Sequence, residues 1–215
     1  MFYTKKQTHS KKMSSVNFNF NFSEAYTLND NRVLLRPLCA DDFDNLLPFA
    51  VQEPEIWQYS LVSAAGAEGL KRYIQEAISA RERQQEYPFI VYDKQREQYA
   101  GSTRFYDIQL YHKTIQIGYT WYGKQFQGTG LNRHCKYLLL SFAFEKLGME
   151  RVEFRADVRN ARSVAAMKKI GCTVEGVLRN HLGLPNGERR NSIVLSILRN
   201  EWFEQIKNSL YPPIT

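Results

Sequence analysis

A glycine-containing turn near the middle of the chain is the segment best suited to binding a phosphate group. Residues 115–121 before it are mostly β-branched or aromatic and predict a strand, whereas the residues after Gly130 follow a helical pattern. A helix that begins at such a turn leaves backbone N–H groups without partners, and its dipole places partial positive charge there. The turn at residues 125–130 therefore predicts a site for a phosphate or pyrophosphate group.

Two common nucleotide-binding loops do not fit this turn. A P-loop needs a lysine directly after its second glycine, but Thr129 follows Gly128. A dinucleotide-binding fingerprint needs a third glycine where the chain has Arg133. The remaining pattern, Q-x-x-G-x-G, resembles the pyrophosphate loop of the GNAT acyltransferases, and the alternative is the plain start of a helix. The resemblance implies that backbone amides of this loop hold acetyl-CoA.

Further motifs extend this resemblance to the RimJ/RimL-like branch of the GNAT superfamily. The chain has R-V-x-L-R-P-L near its start, N-x-x-S at Asn160 and Ser163, and E-G-x-L-R beginning at Glu175. The resemblance covers residues 26–203. It implies an α/β fold, in which a mixed, twisted sheet of about six or seven strands carries helices on both faces.

Residue patterns also predict the elements that position the turn. Helical spacing predicts a helix over 67–84, and β-rich runs at 87–92, 99–108 and 114–121 predict an antiparallel meander. After the turn, an apolar stripe predicts the buried face of a helix: Leu131, Cys135, Leu138, Leu139 and Phe142. Residues 151–156 predict a strand parallel to 114–121, because a helix connects the two. The resemblance implies that these strands splay apart and that the pantetheine arm of the cofactor lies between them.

Composition and charge limit the domain organisation, the cellular compartment and the binding partners that we expect for the protein. The 215 residues are 43% hydrophobic and suit one domain, which we place at 26–207 between a basic extension (1–25) and a C-terminal tail (208–215). The three cysteines form no metal-binding pattern and predict reduced thiols in a cytoplasmic protein without a structural metal. No apolar run reaches the ~18 residues of a membrane span. The net charge of +7 suits an anionic partner such as RNA, but the basic extension and the phosphates of CoA account for it better.

The resemblance implies direct transfer of an acetyl group from acetyl-CoA to a primary amine. The acceptor is either the α-amine of a protein or a small molecule such as an amino acid, an amino sugar or an antibiotic. A monomer and a homodimer are both compatible with the sequence. The alternative is a non-catalytic module on the same fold, which senses acyl-CoA or associates with RNA.

Three residues outside the turn are candidates for specific roles. By resemblance, Ser163 protonates the departing thiolate, or it only occupies the first turn of a helix. Asn160 binds the pantetheine arm, or it caps that helix. His181, with an ordinary pKa of ~6.5, relays the proton of the amine, or it is structural and a water chain does this work. Basic residues around the hairpin at 183–188 indicate either an acidic acceptor or a solvated face.

By the same resemblance, backbone N–H groups of the strand before the turn bind the thioester and its oxyanion, and the turn holds the pyrophosphate. The residues expected to contact acetyl-CoA are Tyr119, Thr120, Trp121, Gln125, Phe126, Gln127, Gly128, Thr129, Gly130, Asn160 and Ser163. The residues expected to act in catalysis are Ser163 and His181.

Overall fold

The computed structural model describes residues 20–184 and 187–211, which form a mixed α/β structure. The strands are β1 (Leu28–Asn29), β2 (Val33–Pro37), β3 (Tyr87–Asp93), β4 (Gln98–Gln109), β5 (Thr114–Tyr122), β6 (Arg151–Asp157), β7 (Thr173–Gly183) and β8 (Arg189–Leu198). The longer helices are α1 (Phe43–Gln52), α2 (Gly66–Glu82), α3 (Leu131–Ser141) and α4 (Ala161–Lys169). A C-terminal helical segment contains α5 (Arg199–Glu201) and α6 (Lys207–Leu210).

The strands form one sheet in the order β1-β2-β3-β4-β5-β6-β8-β7. Neighbouring strands are antiparallel except β5 and β6, which are parallel. The predicted meander β3–β4–β5 and the parallel connection through α3 are therefore confirmed. The 8-stranded sheet exceeds the predicted number because the two-residue β1 pairs with β2.

Helices cover both faces of the sheet, as the resemblance implies. On β5, Trp121 donates a hydrogen bond to the hydroxyl of Tyr73 on α2 (3.3 Å), whereas its neighbour Thr120 contacts Lys136 on α3. Adjacent residues of a strand point to opposite faces. Helix α2 therefore packs on one face and α3 on the other.

The buried face of α3 differs from the predicted stripe. Leu138 is only half-buried, and Lys136, which the apolar pattern does not include, is 5% exposed. Lys136 lies three and four residues before Leu139 and Leu140, which are both fully buried, so helical geometry places it on the same side. A π-helical turn, Phe142–Lys146, then continues the helix.

The packed structure includes residues before the predicted domain boundary at Tyr26. Phe20 is 4% exposed and its ring lies 5.4 Å from the rings of both Tyr26 and Tyr87. Arg81 of α2 donates hydrogen bonds to the carbonyls of Phe22 and Glu24, each at 2.8 Å. This segment therefore packs against the core. The rest of the basic extension lies outside the described residues, and the division at 26 and 207 stays a prediction.

Candidate active site

Strands β5 and β6 separate beside the glycine turn. Their parallel pairing begins at Thr114 opposite Arg151 and ends at Gln116 opposite Glu153, although both strands continue. The pairing therefore covers only the start of each strand. The splay implied by the resemblance is present, and it opens a cleft next to the N-terminus of α3.

A bulge changes the direction of β5 within this cleft. Tyr119 and Thr120 together lie opposite a single residue of β4, Thr103, between regular pairs on either side. Tyr119 has a φ of +49°, in the left-handed region that non-glycine residues seldom adopt. Bulges and such backbone conformations concentrate at binding and catalytic sites. The strand predicted to donate N–H groups is thus irregular at the predicted position.

The glycine turn presents unused backbone donors. Gly128 and Gly130 have φ values of +76° and +89°, and a Cβ added at either position would meet no atom within 4 Å. The N–H groups of Gly128, Thr129 and Gly130 make no hydrogen bond within the part of the chain that the structure describes. Three free N–H groups at the positive end of a helix suit an anionic ligand.

Neighbouring side chains fix the shape of the turn. The hydroxyl of Thr129 donates to the carbonyl of Phe126, and the side-chain amide of Gln127 donates to the carbonyl of Tyr122, both at 2.8 Å. Phe126 is 1% exposed and packs against Phe49. The N–H of Phe126 donates to the carbonyl of Gly123 at 2.9 Å, and the predicted contact of Phe126 with acetyl-CoA stays a prediction.

Gln125 and Trp121 are held by elements outside the turn. Gln125 is exposed, but its side chain donates to Gln98 (3.3 Å) and its carbonyl accepts a hydrogen bond from Arg96 (2.8 Å). Trp121 is buried, with its ring 5.0 Å from that of Trp57. Both residues anchor the turn and its strand to the rest of the domain. Their predicted contacts with acetyl-CoA stay predictions.

A buried lysine stands where the two strands separate. The Nζ of Lys136 donates to the hydroxyl of Thr120 on β5 (3.0 Å) and lies 5.5 Å from the ring of Phe154 on β6. Within the described residues it forms no ion pair. Burial disfavours the charged form and lowers the pKa of Lys136 to about 8. Sequence reasoning missed this residue, although its helical spacing from Leu139 was the available signal.

The first turn of α4 lies beside the glycine turn. Asn160 caps α4, because its Oδ1 accepts the N–H of Ser163 at 3.1 Å. Arg162 donates to the side-chain oxygen of Gln127, which joins the two predicted segments. The hydroxyl of Ser163 makes no hydrogen bond within the described ranges. The capping role of Asn160 is therefore observed, and its amide nitrogen and the Ser163 hydroxyl remain available for the predicted roles.

His181 lies on β7, where its Nδ1 is 3.0 Å from the hydroxyl of Ser192 on β8. Burial and the positive charges of Arg155 and Arg190, together with Arg189, lower the pKa of His181. A lowered pKa keeps the imidazole neutral near pH 7, which is the form that accepts a proton. The structure does not join His181 to Ser163 by a hydrogen bond.

The arrangement fits acetyl-CoA, which the resemblance implies as co-substrate. Open glycine positions and free N–H groups suit its pyrophosphate, and the cleft between the splayed strands suits an extended arm. Among residues 20–184 and 187–211, no group of three or more His, Cys, Asp or Glu side chains is placed to hold a metal ion. In the same ranges, no helix has the length and apolar character needed to cross a membrane.

Comparison with known proteins finds similarity to an acetyltransferase domain and to N-acetyltransferases. Residues 32–173 match the acetyltransferase (GNAT) domain. The protein named "Putative ribosomal N-acetyltransferase YdaF", from Bacillus subtilis (strain 168), is 32% identical over 102 residues, which span 47% of this chain and 55% of that relative. The spermidine N(1)-acetyltransferase of Escherichia coli (strain K12) is 24% identical over 108 residues, spanning 50% of this chain and 57% of that relative.

A solved structure extends the match to most of the chain. The crystal structure of a "putative acetyltransferase" from T. thermophilus has a TM-score of 0.78 and 30% identity, covering 86% of this chain and 94% of that chain. The two sequence relatives, by contrast, are matched over only slightly more than half of their own length.

Proposed function

Because the chain belongs to the acetyltransferase (GNAT) domain family, we propose that it transfers an acetyl group from acetyl-CoA directly to a primary amine. The observation that carries this proposal is the separation of β5 and β6 beside the glycine turn. A phosphate-binding turn alone suits many ligands. A turn that adjoins a cleft with an irregular strand edge suits a ligand with both a pyrophosphate and a reactive arm.

The residues of the chain have separate tasks in this proposal. The N–H groups at Gly128, Thr129 and Gly130 bind the pyrophosphate of acetyl-CoA, which supplies the activated acetyl group as a thioester. Backbone N–H groups near Tyr119 and Thr120 bind the carbonyl oxygen, where negative charge develops during attack by the amine. Fixed donors in this position lower the barrier because they need no reorientation during the reaction.

Two side chains handle protons in the proposal. His181 is neutral near pH 7 and accepts the proton of the attacking amine, directly or through water. The hydroxyl of Ser163, which bonds to no described residue and lies beside the glycine turn, donates a proton to the departing thiolate. A hydroxyl is a weak acid, so its contribution is expected to be modest.

The acceptor is proposed to be an amine of a protein or of a small molecule. The relatives' names mention both classes, ribosomal N-acetylation and spermidine N(1)-acetylation. All three cysteines are free thiols, which supports action in the reducing cytoplasm.

The test is thiol release from acetyl-CoA in the presence of peptides with free N-termini, amino acids, polyamines and aminoglycosides, with mass spectrometry of each acceptor. Acetylation of one class would support the proposal. Binding of acetyl-CoA without product from any acceptor would instead favour the non-catalytic module. In that case a titration with RNA at several salt concentrations would test the remaining alternative.

A further inference from the structure

Arg190 is a buried arginine whose charge has no partner among the residues that the structure describes. It lies on β8 and is 6% exposed, and its guanidinium, Nε included, forms neither a hydrogen bond nor an ion pair within residues 20–184 and 187–211. An arginine cannot lose its charge in a protein, and a buried charge without a partner is costly. A position of this kind suits a group that binds an external anion.

Arg190 lies next to the proposed proton acceptor, because on β8 it is opposite Leu182 of β7, the residue after His181. Strand β8 pairs with β6 and β7, yet Arg190 interacts electrostatically with Tyr106 of β4 and Tyr119 of β5. The rings of these two tyrosines lie 5.2 Å apart. Tyr119 belongs to the bulge that borders the cleft. The charge of Arg190 therefore acts on tyrosines of the two strands on the β4–β5 side of the cleft.

Two of the charges that act on Arg190 are already paired. Arg155 donates to Glu153 at 2.6 Å, and Asp157 accepts two hydrogen bonds from the guanidinium of Arg159 at 2.8 and 3.0 Å. Asp157 attracts Arg190 electrostatically, but it forms no hydrogen bond with it. Beside the neutral His181, the buried guanidinium of Arg190 is thus without a hydrogen bond or ion pair to any described residue.

From this arrangement we infer that Arg190 binds a carboxylate of the acceptor, so that the preferred substrates are amines with a carboxylate near the amine. The inference rests on the proposed amine acetylation and specifies its acceptor. The planar fork of arginine matches a carboxylate with two parallel hydrogen bonds. The pyrophosphate of acetyl-CoA is a poorer candidate, because its donors lie at the glycine turn. A polyamine has no anion for Arg190, and the surrounding arginines repel it.

The test uses acceptor pairs that differ in one carboxylate. One pair is methionine and methioninamide, and the other is a pair of peptides with free N-termini and either Asp or Asn at the second position. The first pair reports on a free α-carboxylate and the second on an acidic side chain. For each pair, kcat/KM with acetyl-CoA and calorimetric binding in the presence of CoA are measured. Spermidine serves as the polycationic comparison.

We expect the carboxylate member of one pair to be preferred by about 10- to 100-fold, the usual range for a hydrogen-bonded charge pair. Arg190→Met should abolish this preference through the KM of the acceptor, while the affinity for acetyl-CoA stays unchanged. Arg190→Lys should restore part of it, since the charge returns without the fork. Arg189→Met removes an exposed neighbour that is bonded to Asn180, and it should keep the full preference.

The possible results distinguish a failure of the carboxylate inference from a failure of the proposed acetyl transfer. A preference for spermidine, equal use of both pair members, or a preference that survives in Arg190→Met would overturn the inference while leaving acetyl transfer intact. If no acceptor is acetylated, the proposed function fails, and the calorimetric preference then decides the role of Arg190 by itself. Arg190→Met should be at least as stable as the parent, because it removes a buried charge that has no partner among the described residues. Thermal unfolding therefore checks its fold.

Discussion

Replacing Lys136 with methionine is expected to stabilise the protein near neutral pH. Burial lowers the pKa of Lys136 from 10.5 to about 8, and at ~1.4 kcal/mol for each pKa unit the buried charge costs about 3 kcal/mol. Methionine fills a similar volume without a charge, but it loses the hydrogen bond to Thr120, which contributes about 1 kcal/mol. The expected net gain in the free energy of unfolding is therefore about 2 kcal/mol.

The gain should depend on pH in a defined direction. The folded-state pKa of Lys136, about 8, lies below the ~10.4 of an unfolded chain. Below pH 8 the lysine is protonated in both states, so its full cost is present. As the pH rises from 8 toward ~10.4, the folded state releases its proton first, and the cost disappears. The facing thiols of Cys135 and Cys172 stay neutral over this range, since burial raises the pKa of each to about 12.

The assay is urea unfolding at pH 7 and at pH 9.5 for the parent protein, Lys136→Met and Lys146→Met. Lys146 is exposed in the turn that continues α3, so its substitution should change the stability little at either pH. Lys136→Met should be more stable than the parent at pH 7, and the difference should shrink at pH 9.5. Equal destabilisation at both values would refute the reasoning, because it would show that the ammonium is favourably bound. Lys136→Met should also lose activity, since the hydrogen bond from Lys136 holds the side chain of Thr120 in place at the cleft.

Four further predictions concern other parts of the structure. Gly128→Val should weaken acetyl-CoA binding at least tenfold by calorimetry because φ of +76° disfavours a β-branched residue; unchanged affinity would contradict the role of the turn. Phe20→Ala should lower the free energy of unfolding by about 3 kcal/mol in urea, whereas Tyr111→Ala, at a 92% exposed position, should leave it nearly unchanged. The lowered pKa of His181 predicts that kcat/KM falls only below pH ~6.5, as the imidazole becomes protonated. His181→Ala should be less active, and its kcat/KM should not show this fall at acidic pH. Ser163→Ala should lower kcat by less than about tenfold, because water can protonate the thiolate.

Local patterns were sufficient to predict the turn, the helix after it and the meander before it. Glycine at 128 and 130 reflects backbone conformations that other residues disfavour, so the sequence carries that information directly. Alternation and helical spacing depend on near neighbours in the chain. The parallel pairing of β5 and β6 followed from the length of the connection between them.

The features that depend on tertiary packing could not be predicted in this way. The end of the β5–β6 pairing at Gln116, the burial of Lys136 and the unpaired state of Arg190 within the described residues each depend on which distant elements meet. A lysine or arginine in a sequence is exposed by default. Asn160 shows the reverse case, because its local capping signal was sufficient to predict one role and leaves the second open.

The central claim, direct acetyl transfer to an amine, is tested most directly with acetyl-CoA labelled in its acetyl group. After incubation with the protein and an accepted amine, mass spectrometry follows the label on the acceptor and on the chain itself. Direct transfer predicts label on the acceptor in proportion to the thiol released, with none on the protein at any time. Label that appears first on the protein and then passes to the acceptor would contradict direct transfer, and thiol release without labelled acceptor would contradict transferase activity.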